Sequence, residues 1–148
     1  MCSSDLDHEP GAWRLFKSCV RRLNMAKGNA KLLVNPGWGD PAPILEELFS
    51  LPADIFTLDL TRNPRLAAIL AHSEFRKPVQ LGIVDGWRET VEDAEEIAGR
   101  LAEFAASSHA PDCYLSAAAG FRALPAQAAE RKLRILCQVR DILLSSRA

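Results

Sequence analysis

Apolar and polar positions along this chain switch repeatedly between two periods. In residues 11–27 the side chains of Trp13, Phe16, Val20 and Leu23 recur every three or four positions, which places them on one face of a helix. Residues 31–35 (Lys-Leu-Leu-Val-Asn) form a short apolar block that reads as a buried strand. Asp40-Pro41 then predicts a helix start, with Asp as the cap and Pro at the first helical position, running to about residue 50. A second strand is expected at 54–60, and Asn63-Pro64 repeats the cap-and-proline signal for a helix to about residue 72. A third strand at 78–84 ends in the turn Asp85-Gly86-Trp87. Thr90-Val-Glu-Asp93 has the form of a capping box, and Val91, Ala94, Ala98, Leu101 and Ala105 continue at helical spacing. The fourth strand covers 112–117. Leu124-Pro125 opens the last helix, with Ala129, Leu133, Leu136, Val139 and Leu143 as its expected inward stripe.

The order is therefore α-βα-βα-βα-βα. Strict alternation with short apolar strands demands a parallel sheet covered by helices through right-handed crossovers. Two architectures satisfy it: a small doubly wound sheet with helices on both faces, or an arc of a (β/α)8 barrel with every helix on one flank. Polar and glycine-bearing residues follow all four strands, at 35–40, 59–63, 85–88 and 116–122. A doubly wound sheet concentrates chemistry at one switch point, whereas a barrel can use every loop at the carboxyl ends of its strands. The loops therefore favour the α/β arc: a partial (β/α)8 TIM barrel of about four parallel strands, each followed by a helix.

Composition narrows the function classes. With 148 residues, 25% charged and a net charge of −1, the chain has the size and polarity of one globular domain. No bulk basic charge selects nucleic acid or a membrane as partner. No apolar run approaches the ~18 residues of a membrane span, and Asp5, Asp7 and Glu9 stand where a secretory leader would be basic and then apolar, so a cytoplasmic location is expected. Cys2, Cys19, Cys113 and Cys137 are scattered, as are His8, His72 and His109. No pair has metal-ligand spacing, so isolated thiols and surface or helix-end histidines are expected.

Four blocks carry a resemblance. Trp38-Gly39-Asp40-Pro41-Ala-Pro-Ile44, with Leu51-Pro52-Ala53-Asp54 and Leu58-Asp59-Leu60, forms the first two. Leu81-Gly82-Ile83-Val84-Asp85-Gly86 with Val91-Glu92 forms the third. Tyr114-Leu115-Ser116, Gly120-Phe121, Leu124-Pro125 and Ala129 with Lys132-Leu133 form the fourth. In order and spacing they resemble the cobalamin-independent methionine synthase family, across about residues 31–142, at the carboxyl-terminal half of one of its barrels. The resemblance implies methyl transfer from a methylated tetrahydrofolate polyglutamate to the thiol of homocysteine, assisted by zinc that holds the thiol as thiolate. The family's zinc ligands (a His, two Cys and a Glu) fall here on Asn35, Gly37, Asp59 and Ala119, so no zinc or other cofactor is expected in this chain by itself. Two origins fit that loss. One is descent from the family's zinc-free amino-terminal barrel type, which the Val84-Asp85-Gly86 turn favours. The other is decay of a zinc barrel.

A closed barrel needs eight strands. Four leave an uncovered arc, to be completed by a missing barrel half, a second copy or a zinc-bearing partner barrel, with methyltetrahydrofolate as a candidate ligand. The expected organisation is a half-barrel domain over 11–148 after a disordered or artefactual stretch over 1–10, because Met1-Cys2-Ser3-Ser4-Asp5-Leu6 resembles a translated sequencing adapter. Such a chain would be inactive alone, as a fragment or subunit of a methyltransferase; the alternative is a non-catalytic folate-binding or partner-docking module. No catalytic residue is assigned. Candidate substrate contacts are Trp38 and Trp87, able to stack a pterin or to pack under their own loops; Asp59 and Asp85, which could face the mouth or cap their turns; Ser116; and Arg122. Arg122, with Arg62 and Arg88, suits carboxylates or plain solvent. The run 92–96 reads as a solvated acidic helix start.

Overall fold

The computed structural model describes residues 10–37 and 39–146. Helix α1 (Pro10–Ala26) leads into strand β1 (Leu33–Val34), followed by helix α2 (Leu45–Phe49), strand β2 (Ile55–Asp59) and helix α3 (Leu66–Ala71). Strand β3 (Val79–Val84), helix α4 (Ala94–Ser107), strand β4 (Cys113–Ala117) and helix α5 (Ala126–Ser145) complete the order. Short 3-10 turns precede α2 (Ala42–Ile44) and α5 (Phe121–Ala123).

The four strands form one parallel sheet in chain order β1-β2-β3-β4. No strand order reverses, so same-handed crossovers bring each helix beside the next on a single flank. The α3–α4 and α4–α5 pairs pack directly, and the Trp13 indole and Lys17 ammonium of α1 both reach the Glu47 carboxylate on α2. The expected arc is present, and the doubly wound alternative is not.

Strand alternation divides the sheet into two faces. Phe56 and Leu58 of β2, and Val79 and Leu81 of β3, are fully buried towards the helices. Phe56 meets Phe49 of α2 edge-on, ring centroids 5.4 Å apart, and Phe49 stacks on Phe75 beyond α3. The opposite face carries Leu33, Thr57, Gln80, Tyr114 and Ser116 in the aligned register Thr57–Gln80–Tyr114. On it Leu33 and Tyr114 keep 43% and 48% of their surface exposed. Thr57 is buried, with no hydrogen-bond partner for its Oγ1 among the described residues.

Several local expectations are corrected. Strand β1 is shorter than residues 31–35. The first turn after Asp40-Pro41 is 3-10 rather than α, although Asp40 does accept from the Ala42 amide at 3.0 Å. Helix α3 starts at Leu66, and the Asn63 side chain donates to Gly39 O (3.2 Å) instead of capping it. Helix α4 starts at Ala94: Asp93 accepts from the Glu95 and Glu96 amides and outcompetes Thr90 as N-cap. Val91 is consequently exposed ahead of the helix. On α1 the buried stripe ends at Val20 and Leu23 is exposed. On α5 the buried positions are Ala128, Lys132 and Val139, and Leu133 is exposed. Helix α1 begins at Pro10, within the stretch expected to be disordered or artefactual, and residues 1–9, including Cys2 and His8, lie outside the described residues.

Candidate functional site

Parallel strands deliver their four following loops to one end of the sheet, the end where barrels keep their chemistry. The geometry there is set first by turn caps. Asp59, at the end of β2, has a carboxylate that is about nine-tenths buried. Its Oδ1 accepts from the Thr61 amide (2.8 Å), the Thr61 hydroxyl (2.6 Å) and the Arg62 amide (3.2 Å). Asp85, one residue past β3, accepts from the Trp87 amide at 2.8 Å, and its Oδ2 lies 3.7 Å from the Arg88 guanidinium. Both aspartates therefore hold their own loops, and Trp87 is half exposed above the second of them.

The remaining candidates are more loosely held. The Ser116 hydroxyl donates to Leu81 O at 3.4 Å, and Arg122 is exposed in the 3-10 turn before α5. Trp38 lies outside the described residues. The loops after β1 and β2 are tied by the Asn63–Gly39 bond and by Arg65 at 3.4 Å from Asp40.

The loops after β3 and β4 meet through shape. A Cβ on Gly82 would lie 2.6 Å from Ala118 Cα, and one on Gly86 would lie 2.5 Å from Ala119 O. Only glycine lets the backbone of the alanine run settle over the end of β3.

Sequence reasoning missed a buried ion pair behind this end. Lys132 of α5 is fully enclosed, and its ammonium donates to Thr90 O (2.6 Å) and to both oxygens of Glu92 (2.8 Å each). Glu92 also accepts the Asp85 amide at 2.7 Å. Glu92 is thus no solvated helix start: it links the last helix to the loop that carries Asp85 and Trp87. The available signal was the Lys132-Leu133 pair with Val91-Glu92 among the family-like blocks.

Elsewhere, Asp54 sits just before β2, and its carboxyl is held below its ordinary value. The Leu32 amide donates to it at 2.7 Å and the Lys27 ammonium pairs with it. His72 is exposed at the end of α3, 3.1 Å from Glu103, and Cys19, Cys113 and Cys137 are exposed and not joined in a disulfide among the described residues.

The family described as "Cobalamin-independent synthase, Catalytic domain" matches residues 38–141. The chain belongs to that family. It is 31% identical over 121 residues to the 5-methyltetrahydropteroyltriglutamate--homocysteine methyltransferase of Bifidobacterium longum (strain NCC 2705), an alignment covering 72% of this chain and 16% of that protein. A B12-independent methionine synthase from Shewanella sp. W3-18-1, solved in complex with selenomethionine, shares the fold with a TM-score of 0.59 at 23% identity. That superposition covers 74% of this chain and 32% of the other. The chain thus spans a minor part of both relatives, and the partial barrel is the fold it shares with the solved one.

The residues at the family's zinc positions do not fit the metal. Asn35 spends its side-chain oxygen on the Gly37 amide at 2.9 Å. Gly37 has φ 86°, a conformation in which a cysteine would be strained. Asp59 is committed to its turn, and Ala119 has no donor. Among the described residues no group of three or more His, Cys, Asp or Glu side chains is placed to hold a metal ion. No helix among them is long and apolar enough to cross a membrane.

Proposed function

We propose that this chain is half of a methyl-transfer barrel, related to the enzymes that pass a methyl group from a folate polyglutamate to homocysteine, and that it supplies wall and loops rather than the metal. The observation that carries this reading is the one-flank parallel arc with exposed Leu33 and Tyr114 on its concave side, in a chain whose residues 38–141 match the catalytic-domain family. An arc of that kind leaves apolar surface and two strand edges uncovered until a complement closes it.

In the closed barrel the loops bearing Asp59, Asp85, Trp87, Ser116 and Arg122 share the mouth. Asp59 and Asp85 shape it, since their carboxylates are engaged in their turns. Arg122 and Trp87, both exposed, have the chemistry to meet the carboxylates and the flat heterocycle of a methyltetrahydrofolate.

The test combines the purified chain with a complementary barrel half and with a separate zinc-bearing partner barrel. Methyl transfer from 5-methyltetrahydropteroyltriglutamate to homocysteine and zinc content are then followed. No turnover and no stoichiometric zinc are expected for the chain alone, with turnover on completion. Turnover by the chain alone would refute the assignment. Folate binding without turnover in the completed barrel would instead establish the second reading, a non-catalytic folate-binding module, which Gly37 and Ala119 favour by offering no ligand.

A further inference from the structure

On the helical flank of the sheet, α2 and α3 part. Helices α3 and α4 pack directly on each other, as do α4 and α5, but α2 and α3 meet far less closely. The space between them is an open groove of about 640 Å3, the size of a small-molecule site. Leu45 and Phe49 of α2 form one wall, and Ile69 of α3 with Phe75 beyond it forms the other. Ala42, Leu45 and Phe49 fall on one face of the 3-10 turn and α2, so the groove follows the helix for roughly 10–12 Å.

A cation closes one end. Lys77, in the segment that leads into β3, lines the groove and is half-buried. Its ammonium donates to Leu51 O at 2.6 Å and lies 5.3 Å from the centroid of the Phe56 ring. Phe56 meets Phe49 and Phe75 edge-on, and these two stack on each other in the groove walls. The charge thus stands against the same aromatic cluster that lines the groove.

Among the described residues no carboxylate lies within ion-pair distance of Lys77. Burial holds its pKa below the ordinary lysine value. Asp54 opposes that shift only in part, because its carboxylate is taken by Lys27 and the Leu32 amide. A partly desolvated ammonium without a counter-ion attracts an anion more strongly than a lysine in open solvent does.

The other charges orient the ligand. Arg76 and Glu74 pair with each other at the exposed rim, 3.3 Å apart. Glu46, exposed on α2 one turn from Ser50, disfavours a negative group farther along the groove. An anionic head therefore has one favourable place, beside Lys77.

We infer that the groove between α2 and α3 binds a small amphiphilic carboxylate, its head on the Lys77 ammonium and its apolar body against Leu45, Phe49, Ile69 and Phe75. The site stands apart from the methyl-transfer reading, since it lies among the helices and not at the loops that follow the strands.

Octanoate and its neutral counterpart 1-octanol, titrated into the full chain, test the inference. Calorimetry reports affinity, and amide shifts in NMR report position. Octanoate is expected to bind one-to-one, at least about tenfold more tightly than the alcohol, with shifts concentrated at Phe49, Ile69, Phe75 and Lys77. Ile69→Asp, at a position 41% exposed, sets a negative charge in the wall. It should weaken octanoate by about tenfold with circular dichroism unchanged. Lys77→Met should bring the acid down to the affinity of the alcohol. Should loss of the bond to Leu51 O unfold that variant, Ile69→Asp and the two probes on the parent chain still decide.

Equal affinity for acid and alcohol would make the groove a plain apolar surface and overturn the inference. So would the absence of octanoate binding, octanoate binding indifferent to Ile69→Asp, or shifts confined to another part of the molecule.

Discussion

Replacing Lys132 by methionine removes an ammonium from a site where Thr90 O and both Glu92 oxygens converge within 2.8 Å. The new side chain keeps the apolar stem but leaves a carboxylate facing an apolar end. Orphaning one member of a fully buried pair costs about 3–5 kcal/mol. Glu92 is 21% exposed, so water recovers part of that, and about 2–3 kcal/mol is expected here.

Glu92→Gln in the Lys132→Met background neutralises the orphan and still accepts the Asp85 amide. The double variant should therefore lie closer to the parent, with a coupling of about 1–2 kcal/mol between the sites. Urea unfolding followed by circular dichroism measures both. With a slope of about 2 kcal/mol per molar, the single variant should shift its midpoint by about 1–1.5 M. Arg134→Met serves as the control: its bond to Glu130 is just as short at 2.6 Å, but both groups are exposed, and its midpoint should match the parent's. If Lys132→Met also unfolds at the parent's midpoint, the pair does not hold the last helix to the third loop and the reasoning fails.

Asp54 should make stability sensitive to acid. Its carboxyl is depressed below 3.8 by the Leu32 amide and Lys27, so its contribution is complete above the unfolded value and disappears as pH falls below it. Between about pH 5 and pH 2 the urea midpoint of Asp54→Asn should fall less steeply than the parent's, and parallel curves would exclude the role. Gly82→Ala puts a Cβ 2.6 Å from the Ala118 Cα, where the obstacle is backbone and cannot rotate away. A loss of about 2 kcal/mol or more is expected in thermal melts, with changed exchange at Ala118, and an unperturbed melt would show the two loops to be free of each other.

The succession of strands and helices was legible because each junction is punctuated: Asp40-Pro41, Asn63-Pro64, the Asp85-Gly86 turn and Leu124-Pro125. What was misread shares one physical cause, namely that a residue type does not reveal its partner. Lys132 counts as polar in any periodic reading, so the stripe on α5 was set on Leu133. A charge can sit inside only because Glu92, forty residues earlier, reaches it. Thr90 and Asp93 are both good caps, and it is Asp93 that accepts from the Glu95 and Glu96 amides. Asp59 and Asp85 were balanced between capping and facing the mouth, and the short bonds to Thr61 and Trp87 decide for capping. The single-flank arrangement was favoured by four furnished loops, but a doubly wound sheet also gathers such loops at one end, and the strand order that decides between them is visible only in the structure.

The two glycines at the end of β3 determine how this region can move. A loop anchored by hydrogen bonds can swing when water replaces them, but the backbone at Ala118 and Ala119 rests in hollows left by the missing side chains of Gly82 and Gly86. Lifting it would open a void at the end of β3. Any lid over a completed mouth must then hinge on some other connection, with the β3–β4 side serving as the fixed jaw against which it closes.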